Sequence, residues 1–353
     1  MAIPPTGPSS RDRGRSGRQT TPVAGLSARA VYAQAAASRP SNSCPAPSAD
    51  PWVPPAHLLG RAVTGPPTRE PAVVAALRPL LPGPDAAAVE ALWESALGAL
   101  WPLRPGWVCA TVDGGWLAEQ GGSALGAALL SGSALVGLVV DPDHRGRGVG
   151  SALLRTAAPD RIGYGGGQWL WPGVPENLPG ALRFFERRGW SPRETVWDFV
   201  TGLADYRPDP AVRETPGVTY RPAAAADMAG VLHFEGSHFP YWLPHYDTTD
   251  ADSVFLAVKG GEIAGTLRLE WPARHGPGRW SRLLGDDLGG LRAVGVARPF
   301  RGDGIGTAMV VAATEHLRRL GAGVCLIDWL VRTAFYERAG YRPWRSYRLV
   351  EPA

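Results

Sequence analysis

The sequence predicts an α/β protein made of two copies of one unit, each a mixed β-sheet flanked by helices. The segment RGRGVGSALL, which starts at Arg145, recurs as RGDGIGTAMV at Arg301. The segment ALRFFERRGW recurs as TAFYERAGY, with Phe185 opposite Tyr336. Strand-like and helix-like patterns surround both pairs in the same order. A repeat of this length indicates two duplicated domains rather than one large fold.

Composition divides the chain into a tail and two domains. Residues 1–55 are rich in Pro, Ser, Ala, Gly and Arg and have no sustained hydrophobic period, so we expect a disordered N-terminal tail. The stretch DYRPDPAVRETPG, residues 205–217, has the Pro-rich and charged composition of a linker. We therefore predict an N-terminal domain at 56–205 and a C-terminal domain at 206–353, each long enough to bury a core.

Charge, cysteine content and hydropathy exclude several classes of protein. All but one of the 36 basic residues are arginine, the exception being Lys259, and the net charge is only +4. This composition is typical of the high-GC coding bias of actinobacteria, and it lacks the concentrated basic face that nucleic-acid binding favours. The three scattered cysteines form neither a disulfide framework nor a zinc site. No apolar run suits a membrane span or a signal peptide. We expect a cytoplasmic protein without a metal, nucleic-acid or membrane partner.

The first half begins with a predicted helix in PDAAAVEALWESALGALW, where Asp85 can cap the N-terminus and apolar residues recur at helical spacing. Three runs, WVCATVDG, SALGAALL and SALVGLVV, are separated by Gly, Ser and Asp and are predicted as strands. The third run leads directly into a glycine-rich loop and a helix in DPDHRGRGVGSALLRTA. This order of elements predicts a sheet whose last strand leads directly into the glycine-rich loop.

The second half repeats this order. It starts with a strand in GVTYRPA and a helix from about Ala225 to Phe234, followed by strands in SVFLAVKG and EIAGTLRLEW. A further strand, loop and helix are predicted in LRAVGVARPFRGDGIGTAMVVAATEHLRRLG, with Gly321 where a left-handed C-terminal residue belongs. The aromatic-rich segment 233–250 is expected to line a pocket or an interdomain contact. Cys325 is expected to be a packed thiol rather than an acyl carrier.

Each loop has the pattern R-x-x-G-x-G between an apolar strand and a helix. Glycines allow the backbone to approach an anion and to direct successive N–H groups at it, and the positive end of the helix dipole lies behind them. The loops therefore predict pyrophosphate binding. They differ from the P-loop, because no Lys-Ser/Thr follows the glycines, and no βαβ unit with an acidic ribose ligand is evident.

The segments Val140 to Gly150 and Val296 to Gly306 resemble the acetyl-CoA motif of GNAT acyltransferases. FYERAGY at 335–341 resembles the closing helix and strand of that family. The resemblance covers about residues 57–353, so the chain resembles a tandem GNAT protein. It implies two tandem GNAT folds, each with a mixed sheet that splays between its fourth and fifth strands to admit acetyl-CoA or another acyl-CoA. The fifth strands are expected near Gln168–Trp171 and Val324–Trp329.

The resemblance also implies which residues contact the cofactor, on the fourth strands, on the loops and after the first copy's fifth strand. In the first copy these are Leu138, Val140, Arg145, Gly146, Arg147, Gly148, Val149, Gly150, Ser151 and Asn177. In the second copy they are Val294, Val296, Arg301, Gly302, Gly304, Gly306 and Thr307. The alternative for Asn177 is a turn residue without a ligand.

The two copies differ where the chemistry is expected. Tyr336 matches the tyrosine that, in this family, gives a proton to the departing CoA thiolate, whereas Phe185 has no proton to donate. Arg147 in the first loop is replaced by Asp303 in the second, and a carboxylate beside a pyrophosphate is unfavourable. The first copy is therefore expected to hold CoA, and the second to catalyse. Glu270 is a candidate base that acts through water, or else a surface charge.

These observations predict a CoA-dependent N-acyltransferase for the amine of a small molecule, acting as a monomer or homodimer, in secondary metabolism such as antibiotic biosynthesis. Acyl transfer requires polarisation of the thioester carbonyl, which the resemblance assigns to a backbone N–H near Val294 or Val296. The alternative is a non-catalytic protein that binds or senses acyl-CoA. A third function, binding of nucleic acid through arginines, predicts binding that weakens steeply with salt and depends on residues 1–55.

Overall fold

A computed structural model describes residues 75–163, 170–178, 180–331 and 333–353. All of these residues belong to one compact unit. The tail expected at 1–55 lies outside the described residues, as do Gln168 and Trp169 of the expected fifth strand. No helix in the described ranges combines the length and apolar character needed to cross a membrane.

The first half contains seven strands and four helices within the described residues. Its strands are β1 (Ala76–Pro79), β2 (Gly114–Gln120), β3 (Ser123–Ser131), β4 (Ala134–Val140), β5 (Arg161–Ile162), β6 (Val174–Pro175) and β7 (Trp190–Gly202). Its helices are α1 (Ala86–Leu97), α2 (Trp107–Thr111), α3 (Val149–Ala157) and α4 (Ala181–Glu186). Helix α1 buries Val89, Leu92 and Trp93, which recur at helical spacing and form its core-facing side.

The second half repeats this order. Its strands are β8 (Val218–Pro222), β9 (Val254–Lys259), β10 (Glu262–Glu270), β11 (Leu288–Val296), β12 (Val324–Leu330) and β13 (Arg342–Pro352). Its helices are α5 (Met228–His238), α6 (Leu243–Tyr246), α7 (Pro272–His275), α8 (Ser281–Leu284), α9 (Ile305–Arg319) and α10 (Thr333–Arg338). Mixed sheets flanked by helices confirm the predicted fold class.

Three local predictions in the first half are wrong. WVCATVDG contains helix α2 instead of a strand: Gly106 begins the helix at φ +79°, and Glu90 of α1 accepts the N–H of Val108 at 3.3 Å. These local contacts outweigh the strand propensity of its β-branched residues. Asp85 does not cap α1 with its side chain, because its carboxylate binds Arg78 at 2.7 Å and the N–H of Leu81.

The fifth strand of the first half is also misplaced in the sequence prediction. It is β5, Arg161–Ile162, whereas Leu170 and Trp171 of the predicted segment are not in a strand. Both residues are buried among the aromatic side chains of the interior. Their apolar run thus reflects burial, which by itself does not distinguish a strand from an irregular segment. The second fifth strand is confirmed as β12.

The two halves exchange their closing strands. The strand orders are β1-β2-β3-β4-β5 and β6-β13-β7-β12-β11-β10-β9-β8. Strand β7 of the first half lies between β12 and β13, where Val200 pairs with Leu326 on one side and with Arg342 on the other. Strand β13 of the second half pairs in turn with β6, with Tyr347 opposite Pro175. The eight-stranded sheet therefore contains strands of both halves, joined by main-chain hydrogen bonds.

The connection between the halves is packed against the second half. Residues 203–217 contain no helix or strand. The hydroxyl of Tyr206, a residue that is only 4% exposed, donates a hydrogen bond to the carbonyl of Ala339 at 2.6 Å. The carbonyl of Arg338 accepts the N–H of Asp209 at 3.0 Å. These contacts fix the path of the chain from β7 to β8.

Both sheets separate between their fourth and fifth strands. Among the described residues, parallel pairing of β11 with β12 runs from Leu288 to Leu291, and the rest of β11 has no strand partner on that edge. In the same ranges, parallel pairing of β4 with β5 covers Ala134 and Leu135. The described part of each half therefore has a wedge-shaped gap, lined by main-chain groups of the fourth strand that have no strand partner. We call these gaps the first wedge and the second wedge.

The strand exchange predicts that neither half folds alone. A chain of residues 206–353 would lack β7, which leaves β12 and β13 without their shared partner and exposes two sheet edges. We expect this fragment and the fragment 75–205 to be insoluble or unfolded when expressed singly, and to co-purify as a folded complex when expressed together. Circular dichroism and urea unfolding of each preparation provide the measurement. Cooperative unfolding of 206–353 by itself would contradict the expectation.

Candidate active site

The two glycine-rich loops have the same backbone conformation. Gly146 and Gly148 in the first loop have φ of +76° and +87°, and Gly302 and Gly304 in the second have +99° and +82°. A Cβ at any of the four would meet no atom within 4 Å, so the left-handed conformation, rather than lack of space, requires glycine. Gly148 and Gly304 stand immediately before α3 and α9, whose first N–H groups lack partners within the helix.

The third glycine of each loop is required by close packing. A Cβ on Gly150 would lie 3.4 Å from the ring of Phe184, and a Cβ on Gly306 would lie 3.0 Å from the ring of Phe335. Phe184 and Phe335 are the matched residues of α4 and α10. The closing helix of each half therefore presses on its loop at the same point, which supports the predicted alignment of the two copies.

The loop arginines hold the loops to the fourth strands. The Nε of Arg145 donates to the carbonyl of Val140 at 3.2 Å, and the Nε of Arg301 donates to the carbonyl of Val296 at 2.8 Å. Arg145 also donates to the carbonyl of Ala96 in α1 at 3.1 Å. Both guanidinium groups are thus partly engaged with the main chain, so positioning of the loop is their first role.

Strand register directs the predicted contact residues to the wedges. The N–H of Asp141 donates to Leu125 of β3 at 2.9 Å. Because successive residues of a strand direct their main-chain groups to opposite edges, Leu138 and Val140 face the first wedge. The same argument from Ala297, whose N–H donates to β10 at Ala264 (3.0 Å), directs the main-chain groups of Val294 and Val296 to the second wedge.

The remaining predicted cofactor contacts differ in exposure. Val149 is 4% exposed and Thr307 is 5% exposed, so both contribute mainly their main-chain groups at the helix starts. The hydroxyl of Ser151 accepts a hydrogen bond from Arg188 at 3.2 Å. Asn177 follows β6, and both of its side-chain polar atoms are buried without a hydrogen-bond partner among the described residues. Such orphaned atoms are costly unless a ligand or water satisfies them.

Asp303 of the second loop is neutralised, which the sequence did not reveal. Its carboxylate pairs with Lys259 of β9 at 3.2 Å, and its carbonyl accepts the hydroxyl of Thr215 at 3.1 Å. The lysine therefore offsets the repulsion expected between Asp303 and a pyrophosphate. Arg147, the matched residue of the first loop, is exposed and adds a positive charge there.

A bulge in β11 shapes the edge of the second wedge. Ala293 has φ of +48°, and the β10 register shifts between Thr266 and Arg268. The hydroxyl of Tyr246 in α6 donates to the carbonyl of Ala293 at 3.2 Å and holds the bulge. A non-glycine residue in this conformation costs free energy, and such strain is common at functional sites. No residue pattern in the sequence of β11 predicts the bulge.

Tyr336 lies in α10 and is partly buried. Its ring meets that of Phe335 edge to face, with 4.6 Å between centroids. Burial and the nearby charge of Asp328 raise the pKa of Tyr336 above its ordinary value, so the hydroxyl keeps its proton at neutral pH. Phe185 takes the matched place in the first half and is 8% exposed.

A charged cluster of Glu270, Arg279, Arg292 and Asp328 stands where the second wedge opens. The Nε of Arg292 lies 2.6 Å from Glu270, and its Nη1 lies 2.6 Å from Asp328, which also pairs with Arg279. Glu270 pairs with Gly290 across the strands, and its carboxylate occupies the space beside that glycine. Burial alone would raise the pKa of Glu270, but the charge of Arg292 outweighs it and the net pKa is lowered.

Strand β7 brings a carboxyl group from the first half to this cluster. Asp198 is 2% exposed and accepts hydrogen bonds from the hydroxyl of Tyr347 at 2.6 Å and from the N–H of Trp329 at 3.1 Å. Burial and the charge of Asp328 raise the pKa of Asp198 to about 7. The second site is therefore built from residues of both halves.

The helix side of the first wedge is filled by tryptophans. Trp93 and Trp101 are fully buried, and Trp280, which comes from the β10–β11 connection of the second half, is 1% exposed. The ring centroids of Trp101 and Trp280 are 4.8 Å apart. A Cβ on Gly137 of β4 would lie 3.0 Å from the ring of Trp93. Tryptophan side chains of both halves therefore pack together on this side of β4.

The expectation for Cys325 is met. The residue is fully buried, and burial raises the pKa of its thiol to about 12, which suits a packed thiol. In the aromatic segment 233–250, Phe239 and Trp242 stack at 5.0 Å between centroids, and Phe239 covers Gly295 of β11 in the same half. Within the described ranges, no cluster of three or more His, Cys, Asp or Glu residues is arranged to hold a metal ion.

Glu235 of α5 is a buried carboxyl group that the sequence analysis missed. The residue is fully buried and accepts the hydroxyl of Thr266. Its Oε2 has no hydrogen-bond partner in the part of the chain that is described. Burial raises the pKa of Glu235 from 4.5 to about 7. Only its position on the helix face with Val231 and Phe234 could have indicated burial.

The raised pKa of Glu235 predicts a pH-dependent stability. Between pH 4.5 and about 7 the folded state holds a proton that the unfolded state has released, so the free energy of unfolding falls as pH rises through this window. Glu235→Gln mimics the protonated form and removes this dependence. We expect the free energy of unfolding of the variant, relative to wild type, to increase between pH 5 and pH 8 in urea unfolding. Glu262→Gln, at an exposed position, serves as the control, and a constant difference would contradict the assignment.

The chain is similar to known acetyltransferases. The sequence profile of the acetyltransferase (GNAT) domain matches residues 112–192 and 250–343, which lie in the first and second halves. The mycothiol acetyltransferase of Saccharomonospora viridis is 30% identical over 227 residues, covering 58% of this chain and 69% of that protein.

Two solved structures share the fold. One is a GCN5-related glucosamine N-acetyltransferase region in a fungal multi-domain GH3 β-N-acetylglucosaminidase, with 25% identity, a TM-score of 0.71 and coverage of 80% of this chain and 38% of that chain. The other is a tandem GNAT protein from the clavulanic acid biosynthesis pathway, with 18% identity, a TM-score of 0.52 and coverage of 78% and 97%. The chain therefore belongs to the GNAT family of N-acetyltransferases and carries the GNAT fold twice.

Proposed function

We propose that the protein transfers an acetyl group from acetyl-CoA to the amine of a small molecule, and that only its second half performs the transfer. The observation that carries this proposal is the asymmetry of the wedges. Tyr336 provides a protonated hydroxyl in the second half, where the first half has Phe185. Trp280 fills the corresponding side of the first wedge. The first half then serves to hold an acyl-CoA that is not turned over.

The residues present fit an acyl-CoA in both halves. The glycine loops offer N–H groups at helix starts for a pyrophosphate. The unpaired edges of β4 and β11 offer main-chain donors and acceptors for an amide-containing arm. In the first half, the orphaned side chain of Asn177 needs such a polar partner. Acetyl-CoA, when bound, supplies the acetyl group as a thioester.

In this proposal the second half gives one proton to the departing sulfur and removes one proton from the amine. The amine nitrogen bonds to the acetyl carbon as the carbon–sulfur bond breaks, and the Tyr336 hydroxyl gives its proton to the sulfur. The N–H of Val294 polarises the carbonyl oxygen from the wedge edge. Tyr246 supports that N–H indirectly, since it holds the bulge at Ala293.

Glu270 is the proposed acceptor of the amine proton, through a water molecule. Its pairing with Arg292 keeps the carboxylate ionised, which is the form a base requires. The lowered pKa makes it a weak base, so its role is to receive a proton that the amine loses readily after the new bond forms. Glu235, the other carboxyl group on this side, is fully buried and is not in a position to reach the acceptor.

The acceptor is proposed to be a small polar amine. The names of the similar proteins, mycothiol acetyltransferase and glucosamine N-acetyltransferase, favour small-molecule acceptors. The charged cluster of Glu270, Arg279, Arg292 and Asp328 offers both acceptors and donors of hydrogen bonds to such a molecule. A role in secondary metabolism is consistent with the tandem GNAT protein of the clavulanic acid pathway, to which the similarity is one of fold.

Replacement of Tyr336 tests the proposal. Tyr336→Phe removes the proton donor and leaves the ring, so we expect kcat to fall by about 100-fold or more, with little change in KM for acetyl-CoA. The assay is release of the CoA thiol with a panel of amino sugars and small amines. The matched control is Phe185→Tyr, which adds the hydroxyl to the first half and is expected to leave the rate unchanged.

An unaffected rate in Tyr336→Phe would contradict the assignment of the general acid. A Gly148→Ala, Gly150→Val double variant separates binding from chemistry, since it distorts only the first loop. It is expected to lower the number of bound acetyl-CoA molecules from two to one and to retain turnover. Loss of turnover with both acetyl-CoA molecules still bound would place the chemistry in the first half.

A further inference from the structure

A cavity of about 510 Å³ lies beside the first loop, between α3 and α4. Four arginines line it, Arg155 from α3 and Arg183, Arg187 and Arg188 from α4 and its C-terminal end, together with Ser151. No carboxylate is among the residues that line the cavity. Four guanidinium groups around one space repel one another, so the site favours a ligand that carries concentrated negative charge.

One of the four arginines is fixed and forms the floor of the cavity. Arg188 lies over the ring of Phe184, 3.7 Å from its centroid, and donates to the carbonyl of that residue at 2.6 Å and to the hydroxyl of Ser151 at 3.2 Å. Burial and the charges of Arg155 and Arg187 lower the pKa of Arg188, as expected where positive charges crowd together.

The side chains of the other three arginines have no hydrogen-bond partner among the described residues. In those ranges the guanidinium groups of Arg155, Arg183 and Arg187 form neither an ion pair nor a hydrogen bond. Their guanidinium groups therefore remain available to an anion. Guanidinium groups bind phosphate oxygens through paired, charge-assisted hydrogen bonds, which makes phosphate the anion that this geometry suits best.

The position of the cavity restricts which phosphate it can take. Ser151, in the first turn of α3, borders the cavity and follows directly on the loop proposed to hold a pyrophosphate. A ligand that spans both places carries a pyrophosphate and, a few bonds away, a separate phosphate. In CoA the ribose 3′-phosphate stands in this relation to the pyrophosphate. Free inorganic phosphate offers the same chemistry without the connection.

The second half lacks this cluster. By the alignment of the two copies, the counterparts of Arg155, Arg183, Arg187 and Arg188 are Val311, Ala334, Arg338 and Ala339. Only one positive charge of the four is retained. The two halves therefore share the backbone conformation of the loop, but only the first half has the arginine cluster beside it.

We propose that the four-arginine cavity binds the 3′-phosphate of CoA, so that the first half discriminates against ligands without this phosphate and the second half does not. This inference rests on the proposed function, since it assumes that acyl-CoA occupies the first wedge. If the cavity binds this phosphate, the non-catalytic half is expected to retain its acyl-CoA tightly.

Calorimetric titration of the full chain with CoA and with dephospho-CoA tests the proposal. A Gly306→Val background, in which the added side chain has no room beside Phe335, isolates the first site. There we expect dephospho-CoA to bind about 100-fold more weakly than CoA, equivalent to two charge-assisted hydrogen bonds. The Arg155→Ala, Arg183→Ala, Arg187→Ala triple variant should bind both ligands with the same affinity. If Gly306→Val does not fold, a two-site fit in the wild-type chain provides the same comparison.

Arg338→Ala is the matched control for the second half and should preserve the preference for CoA. Adenosine 3′,5′-bisphosphate should displace CoA from the first site, and inorganic phosphate should compete only weakly. Equal binding of CoA and dephospho-CoA by the wild-type chain, or a preference that survives the triple variant, would overturn the proposal. Strong binding of inorganic phosphate that does not compete with CoA would also overturn it. Absence of CoA binding in both halves would contradict the proposed function itself, and with it the assignment of the cavity.

Discussion

The exchange of closing strands is the constraint on which the rest of the structure depends. Strand β7 completes the sheet of the second half, and β13 pairs back to the first half through β6. The exchange places Asp198 beside Trp329 and Tyr347, next to the charged cluster of the second wedge. A buried carboxyl group without these partners would be costly, so the second site depends on the first half being folded.

The same exchange explains how two similar halves can diverge in function. Because the halves share strands, the β10–β11 connection of the second half reaches the first and places Trp280 among Trp93, Trp101 and Trp171. This packing stabilises the contact between the halves, and in the proposed function it leaves the first half without room for an acceptor. In the proposed function, the first half therefore holds acyl-CoA without performing transfer, and Tyr336 serves as the proton donor in the second half.

Local backbone requirements were predictable from the sequence, and pairings between distant segments were not. The glycine loops could be recognised because a positive φ and close packing restrict residue choice at Gly148 and Gly306. The strand exchange left no signal, since the pairing of β7 with β12 and β13 is a choice among many apolar strands. The predicted strand at WVCATVDG was wrong because its contacts with α1 outweigh its composition.

The same limit on prediction from sequence applies to individual side chains of the candidate site. The residues that face the wedges, such as Val140 and Val296, follow from the loop motif. The neutralisation of Asp303 by Lys259 and the burial of Glu235 depend on neighbours far along the chain. In an arginine-rich chain the arginines of α4 do not stand out in the sequence, and the fold brings them around a cavity with Arg155.

The central claim is that both wedges hold acyl-CoA although one half alone is built for transfer. Hydrogen–deuterium exchange of the full chain with and without acetyl-CoA tests it directly, because the amides of residues 145–151 and 301–307 report on the two loops separately. The account predicts slower exchange in both loops and at the edges of β4 and β11 when acetyl-CoA is present. Slower exchange confined to one loop, with the other unchanged at saturating acetyl-CoA, would contradict it.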